Sequence, residues 1–280
     1  MKKYQLGLYE KSMPNTLTLK EKLQAAKDAG FDYMEISVDE TPEKLSRLDW
    51  TKEEMLNFKT DMDDVGLPIY SMCLSGHRKY PMGSLDPATE VRSLEIMEKA
   101  TTLASHLGIR IIQMAGYDVY YETGNEKTRK RFIENLYVAT QMAALHGIIL
   151  GFETMETPFM DTVGKAMTFV EEINSPYLGV YPDIGNLTNA SKLYGHTVNE
   201  DLKKGEGHIF ATHLKETIPG HYREIPFGEG HTDYITQLKL LKDLNVRLFV
   251  GEFWYLGEEN WMDNLKFADS FLRERLDTVY

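Results

Sequence analysis

Short apolar runs alternate with amphipathic stretches along the whole chain, with no Pro/Ser-rich linker or low-complexity segment between them. The runs are Tyr4–Leu8, Tyr33–Ser37, Ile69–Leu74, Ile109–Ala115, Ile148–Phe152, Leu178–Tyr181, Ile209–His213 and Leu248–Gly251. They are near-continuous in apolar residues, as strands of a parallel sheet buried on both faces should be. The stretches between them carry helical periodicity: Leu19–Ala29, Lys52–Val65, Ala88–Leu107, Glu126–His146, Val163–Ile173, Val198–Lys204, Asp233–Leu244 and Asn260–Leu276. Gly30, Gly108 and Gly147 stand where three of these helices must stop, at positions that favour a left-handed residue, and a strand follows at once.

A strand–helix alternation repeated about eight times predicts an α/β fold, a single (β/α)8 TIM barrel spanning residues 1–280. An open doubly wound sheet would carry a glycine-rich first turn, and no GxGxxG, Walker A or GxSxG pattern is present. The chain length of 280 fits one barrel, which routinely takes roughly 250 residues.

Charge narrows the partners. The formal net charge of −12 repels polyanions, so nucleic acid is not an expected ligand, although a local basic pocket for one phosphate is compatible with it. One cysteine, Cys73, leaves no intrachain disulfide and fits a reducing compartment. The amino-terminal residues lack the apolar core of a signal peptide, and no run approaches a membrane span. The expected location is cytoplasmic.

Four residues sit at the ends of consecutive late runs: Glu153 after Ile-Ile-Leu-Gly-Phe, Asp183 after Leu-Gly-Val-Tyr-Pro, His213 closing Ile-Phe-Ala-Thr, and Glu252 after Leu-Phe-Val-Gly. Gaps of 30, 30 and 39 positions match one strand–helix–strand unit each. Strand C-termini converge in such a barrel, so three carboxylates and one imidazole would meet as a hard, oxygen-rich site for a divalent metal: Zn, Mn, Mg or Co. Each residue also has a plainer reading. Asp183 could cap a helix, His213 could be a satisfied rim histidine, and Glu156 competes with Glu153 for the ligand role. Four such residues on four successive strands are a poor coincidence. A divalent ion there can bind a ketone oxygen with its neighbouring hydroxyl and stabilise an enediolate. Glu153 and Glu252, on the fifth and eighth strands, could then flank a sugar as acid and base. Removing a proton on one face and returning one on the other gives epimerisation.

The flanking motifs carry a resemblance over nearly the whole chain. They are Leu6-Gly-Leu-Tyr-Glu-Lys11, Ser37-Val-Asp-Glu-Thr41 with Leu45-Ser-Arg-Leu-Asp-Trp50, Met72-Cys-Leu-Ser-Gly-His-Arg78 with Tyr80-Pro-Met-Gly-Ser84, Gln113-Met-Ala-Gly-Tyr-Asp-Val-Tyr-Tyr121, Tyr181-Pro-Asp-Ile-Gly-Asn186 and Pro226-Phe-Gly-Glu-Gly230. Together they resemble the L-ribulose-5-phosphate / L-xylulose-5-phosphate 3-epimerase family of xylose-isomerase-like barrels. The resemblance implies a divalent metal on Glu153, Asp183, His213 and Glu252, with the two glutamates as the acid/base pair. It also implies inversion at C3 of a ketopentose 5-phosphate in a route degrading L-ascorbate or a related sugar acid. Lys215-Glu216-Thr217 departs from the family's Lys-Asp-Thr without touching a ligand. Barrels of this superfamily often associate as homodimers.

A phosphorylated substrate needs cationic or N–H donors. His77 and Arg78 form the densest basic cluster beside a strand end, and Arg223 and Lys11 are further candidates. Arg129-Lys-Arg131 reads as a solvated helix face. Tyr9, Glu35, Gln113 and Trp254 could line the sugar site, while Tyr117, Tyr120 and Tyr121 form an aromatic loop suited to a lid or a dimer contact. Three other functions compete: a hexulose-6-phosphate aldose–ketose isomerase on the same metal, a metal-dependent nuclease of abasic DNA, and a non-catalytic sugar-phosphate sensor. The nuclease would need more strand-end histidines and a basic face than this chain offers.

Overall fold

The computed structural model describes residues 2–280. Its elements run in the order β1 (Gln5–Tyr9), α1 (Leu19–Ala29), β2 (Tyr33–Val38), α2 (Pro42–Leu45), α3 (Lys52–Val65), β3 (Ile69–Leu74), α4 (Pro87–Leu107), β4 (Ile111–Ala115), α5 (Glu126–Leu145), β5 (Ile149–Glu153), α6 (Val163–Ile173), β6 (Leu178–Tyr181), α7 (Ile184–Tyr194), α8 (Val198–Leu202), β7 (Thr212–Leu214), α9 (Tyr234–Asp243), β8 (Leu248–Gly251) and α10 (Trp261–Val279). All eight strands are parallel, paired in the order β6-β5-β4-β3-β2-β1-β8-β7. The circle closes between β6 and β7 through two isolated bridges, Val180 with Ile209 and Asp183 with His213. This is the expected TIM barrel, with its strands buried almost throughout.

Local chemistry sets the helix ends. Thr18/Glu21, Thr51/Glu54 and Thr197/Glu200 form capping boxes at α1, α3 and α8, satisfying otherwise orphaned N–H groups. Strands β1, β4, β5 and β7 begin later than the apolar runs suggest, and for β4 and β5 the reason is the preceding helix. At Gly108 (φ +80°) the chain turns left-handed and the Ile109 N–H donates back to Ala104 O at 2.9 Å, so β4 starts only at Ile111. The fifth strand is delayed in the same way by Ile148 N–H on Ala143 O at 3.0 Å.

β7 is reduced to Thr212–Leu214 because its partner strand cannot supply a ladder. Pro182 has no N–H, and the Asp183 N–H is diverted to Thr154 Oγ1 at 3.0 Å. Two helices were not expected, the single-turn α2 and the longer α7, whose Ile-Gly-Asn-Leu-Thr-Asn-Ala-Ser opening is rich in poor helix formers. The longer one is the informative case. It forms because Asp183 caps it and because its first seven residues are buried against the barrel. Gly185 is required there: a Cβ would lie 2.8 Å from the Lys215 carbonyl oxygen, so only glycine lets α7 approach the end of β7 this closely.

Candidate active site

The four strand-end residues meet at the C-terminal mouth of the barrel. Glu153 closes β5, Asp183 caps α7 just past β6, His213 lies within β7, and Glu252 follows β8 with its N–H on Leu214 O at 3.0 Å. One donor atom from each falls within 4.8 Å of the others, and all four residues are buried. His213 Nδ1 lies 3.5 Å from Glu153 Oε1 and 3.3 Å from Glu252 Oε2. Asp183 caps α7, with Oδ1 accepting the Asn186 N–H at 2.9 Å, while Oδ2 faces the cluster.

Asp183 Oδ2, His213 Nδ1 and Glu252 Oε2 are buried without a well-aligned hydrogen bond, although ionic neighbours surround them. Buried polar atoms left in this state, converging from three strand ends with Glu153 of a fourth beside them, fit a divalent cation with oxygen and nitrogen ligands. Glu156 is not part of the group; it pairs with Arg223 at 2.9 Å on the cavity wall.

A fifth residue belongs here that the sequence reading passed over. Lys215 Nζ lies 2.5 Å from Asp183 Oδ2 and 3.3 Å from Glu252 Oε2, with the side chain almost fully buried. Its signal was available: two positions past His213, it points to the same face of an extended chain. Burial works against its charge, but Asp183, Glu252 and Glu153 raise its pKa above the ordinary lysine value. Burial would likewise raise Glu252, yet Lys215 and His213 hold its carboxyl well below the usual range. Burial pushes Asp183 up to about 7 against the pull of Lys215. Two carboxylates a few ångströms apart are thereby set to different proton affinities.

The cluster opens into a cavity of about 100 Å³ whose walls include Tyr9, Lys11, Cys73, Arg78, Asn186, Arg223 and Trp254. A larger cleft of about 310 Å³ shares only Trp254 with it and contains none of the four cluster residues. The chemistry therefore assigns the smaller one.

Three of the four predicted phosphate contacts reach this cavity. Lys11 is paired with Asp39 at 2.6 Å and Arg223 with Glu156, whereas Arg78 has no salt bridge among the described residues. Arg78 stacks on Tyr120, 4.7 Å from the ring centre, and its buried Nε lacks a partner. His77 is placed elsewhere: a 3-10 turn over Gly76–Arg78 sends it inward, where Nε2 meets Ser93 O at 3.0 Å. Burial lowers its pKa to about 4, so it is a neutral packing residue and not a cationic contact. Glu35 and Gln113 also lie beneath this cavity instead of in its walls. Gln113 hydrogen-bonds the Glu153 carboxylate, and Glu35 stands behind His213 with Oε1 2.7 Å from Nε2.

Fold and site together define a class, the xylose isomerase-like TIM barrels, whose family model matches residues 23–273. Within it, the chain belongs to the L-ribulose-5-phosphate 3-epimerase family, and is thus an isomerase of the epimerase type. It is 46% identical over 261 residues to the putative L-ribulose-5-phosphate 3-epimerase SgbU of Escherichia coli K12, covering 91% of this chain and 90% of the relative. It is 44% identical over 241 residues to the L-ribulose-5-phosphate 3-epimerase UlaE of Escherichia coli O139:H28, covering 86% and 84%. Among solved structures, an L-ribulose 3-epimerase superposes with a TM-score of 0.79 at 19% identity, over 99% of this chain and 95% of that one. A D-psicose 3-epimerase studied with D-fructose gives 0.81 at 15% identity, over 97% and 99%. These last two likenesses speak for the fold.

Proposed function

We propose that the protein interconverts L-xylulose 5-phosphate and L-ribulose 5-phosphate by metal-assisted inversion at C3. The observation that carries this reading is the placement of Glu153 and Glu252, from β5 and β8, on one buried donor cluster at the floor of a sugar-sized cavity. The relatives at 44–46% identity, named L-ribulose-5-phosphate 3-epimerases, support L-ribulose 5-phosphate as one member of the pair.

Glu153, Asp183, His213 and Glu252 would hold the ion, which when bound supplies Lewis-acid polarisation of the C2 ketone and charge neutralisation of the enediolate. The chain's own residues do the rest. One glutamate takes the C3 proton as its carboxylate; the other, protonated, delivers a proton to the opposite face, and reversal exchanges the roles. The depressed Glu252 carboxyl keeps that group ionised and ready to accept. Gln113 donates to Glu153 and so restricts its orientation. Tyr9 and Trp254 narrow the cavity with rings 6.2 Å apart, edge to face, which limits water around the exposed carbanion. Arg78, with Lys11 and Arg223 at the rim, provides the charge that a phosphate requires in an otherwise acidic protein.

Incubation with L-xylulose 5-phosphate in deuterated water tests the reaction. Deuterium at C3 of an L-ribulose 5-phosphate product is expected. Label at C1 or C2 with an aldose product would assign the same site to an aldose–ketose isomerase instead.

A further inference from the structure

We propose that Glu35 is the positioning residue for His213, fixing which imidazole nitrogen faces the metal; this rests on the metal-site reading above. Glu35 projects from β2 across the barrel interior and is fully buried. Its Oε2 accepts two hydroxyls, Ser71 Oγ from β3 at 2.6 Å and Tyr181 OH from β6 at 2.9 Å. Its Oε1 lies 2.7 Å from His213 Nε2.

Donor counting then decides the tautomer. An ionised carboxylate only accepts, so the imidazole nitrogen facing it must carry a proton. Nδ1 is buried, has no well-aligned partner and lies between the Glu153 and Glu252 carboxylates, which call for a proton or a cation there. When a cation takes that place, the Glu35 carboxylate keeps the ring's remaining proton on Nε2, so Nδ1 is the nitrogen that faces the metal. Tyr181 adds a second restraint, packing edge-on against the His213 ring at 4.8 Å between centroids while its hydroxyl holds Glu35. Strands β2, β3, β6 and β7 thus share one hydrogen-bonded unit whose output is the direction of a single lone pair. A carboxylate behind a ligating histidine fixes the ring and raises its basicity, and its loss typically costs 10–100-fold in metal affinity.

The test is Glu35→Gln. Glutamine keeps the shape but brings an NH2 group, which either faces Nε2 and drives the ring proton to Nδ1, or turns towards Ser71 and Tyr181. Co²⁺ affinity of the full-length protein is read by absorbance titration against a competing chelator, and the tautomer by nitrogen NMR of labelled histidine in Zn²⁺-loaded protein. The expected result is a Co²⁺ dissociation constant raised about 10–100-fold, with loss of the uniform Nε2–H signal of His213. Tyr181→Phe, which keeps the Glu35 charge, should weaken Co²⁺ several-fold and serves as the deciding variant should Glu35→Gln not fold. Unchanged affinity and tautomer in the folded variants would overturn the role of Glu35 while leaving the metal site standing. Wild-type protein that binds no Co²⁺ would overturn both.

Discussion

Replacing Glu10 by glutamine should cost the barrel far more stability than removing one of the cations that surround it. Glu10 follows β1 and is fully buried. Its two oxygens meet Lys44 Nζ at 2.5 Å, Lys22 Nζ at 3.2 Å, Arg47 Nη1 and Nη2 at 2.6 and 2.8 Å, and the Ser37 N–H at 2.9 Å. Burial opposes its ionisation, but Arg47, Lys44 and Lys22 hold its carboxyl well below the ordinary range. One carboxylate thus balances three buried cations. Removing its charge leaves all three uncompensated, and breaking a buried pair typically costs about 3–5 kcal/mol. For a chain of this size that corresponds to roughly 6–20 °C in melting temperature, at about 2–4 °C per kcal/mol.

Lys44→Met behaves oppositely. It relieves like-charge crowding from Arg47 and Lys22, which together with burial already depresses the Lys44 pKa despite Glu10, and it leaves two partners on the carboxylate. Its expected cost is under about 1 kcal/mol. Thermal melts of both variants, with circular dichroism to confirm the fold at 20 °C or so, give the comparison. Equal losses, or a Glu10→Gln loss below about 1 kcal/mol, would refute the charge-balance argument.

Glu153→Gln and Glu252→Gln should each lower kcat by roughly 10²–10⁴-fold with the fold intact; full activity in either would remove the two-base scheme. Arg78→Ala should raise KM for the phosphorylated sugar about 10-fold or more, as loss of a charge-assisted hydrogen bond implies, with little change for the unphosphorylated sugar. Equal effects on both sugars would take Arg78 out of the phosphate contact. His77 is depressed from 6.5 to about 4 in the fold, so the unfolded chain binds its proton first as pH falls. Its contribution is complete above pH 6.5 and shrinks towards pH 4 by about 3 kcal/mol. Urea unfolding of wild type and His77→Gln should therefore converge by that amount across this window, and a pH-independent gap would contradict it.

The four-residue cluster was legible because each member ends an apolar run, and barrel geometry brings such ends together whatever the exact boundaries. Arg78, Arg223 and Lys11 were legible to the level of reaching the cavity. His77 was not separable from Arg78, since adjacent residues in a basic cluster give no hint that a three-residue 3-10 turn will point them apart. Glu35, offered as a lining residue of the sugar site, stops beneath the cavity, because strand periodicity says that a side chain points inward, not how deep it stops. Helix α7 escaped notice for a different reason: its composition opposes helix, and only the Asp183 cap and tertiary burial overrule it.

The seam between β6 and β7 gives that cap a further significance. Here the hoop of strands is fastened by few bonds: Val180 N–H to His208 O at 2.8 Å, Phe210 N–H to Val180 O at 3.2 Å and His213 N–H to Pro182 O at 3.0 Å. Asp183 and His213 face each other across it as an isolated bridge, and both contribute donor atoms to the cluster. A cation held by the two would act as a clasp on this joint of the hoop. Its binding free energy is then also closure free energy, growing with the logarithm of free metal concentration. Proteolytic lifetime would then lengthen with metal supply, through a part of the sheet that a count of its hydrogen bonds would have marked as the place to break.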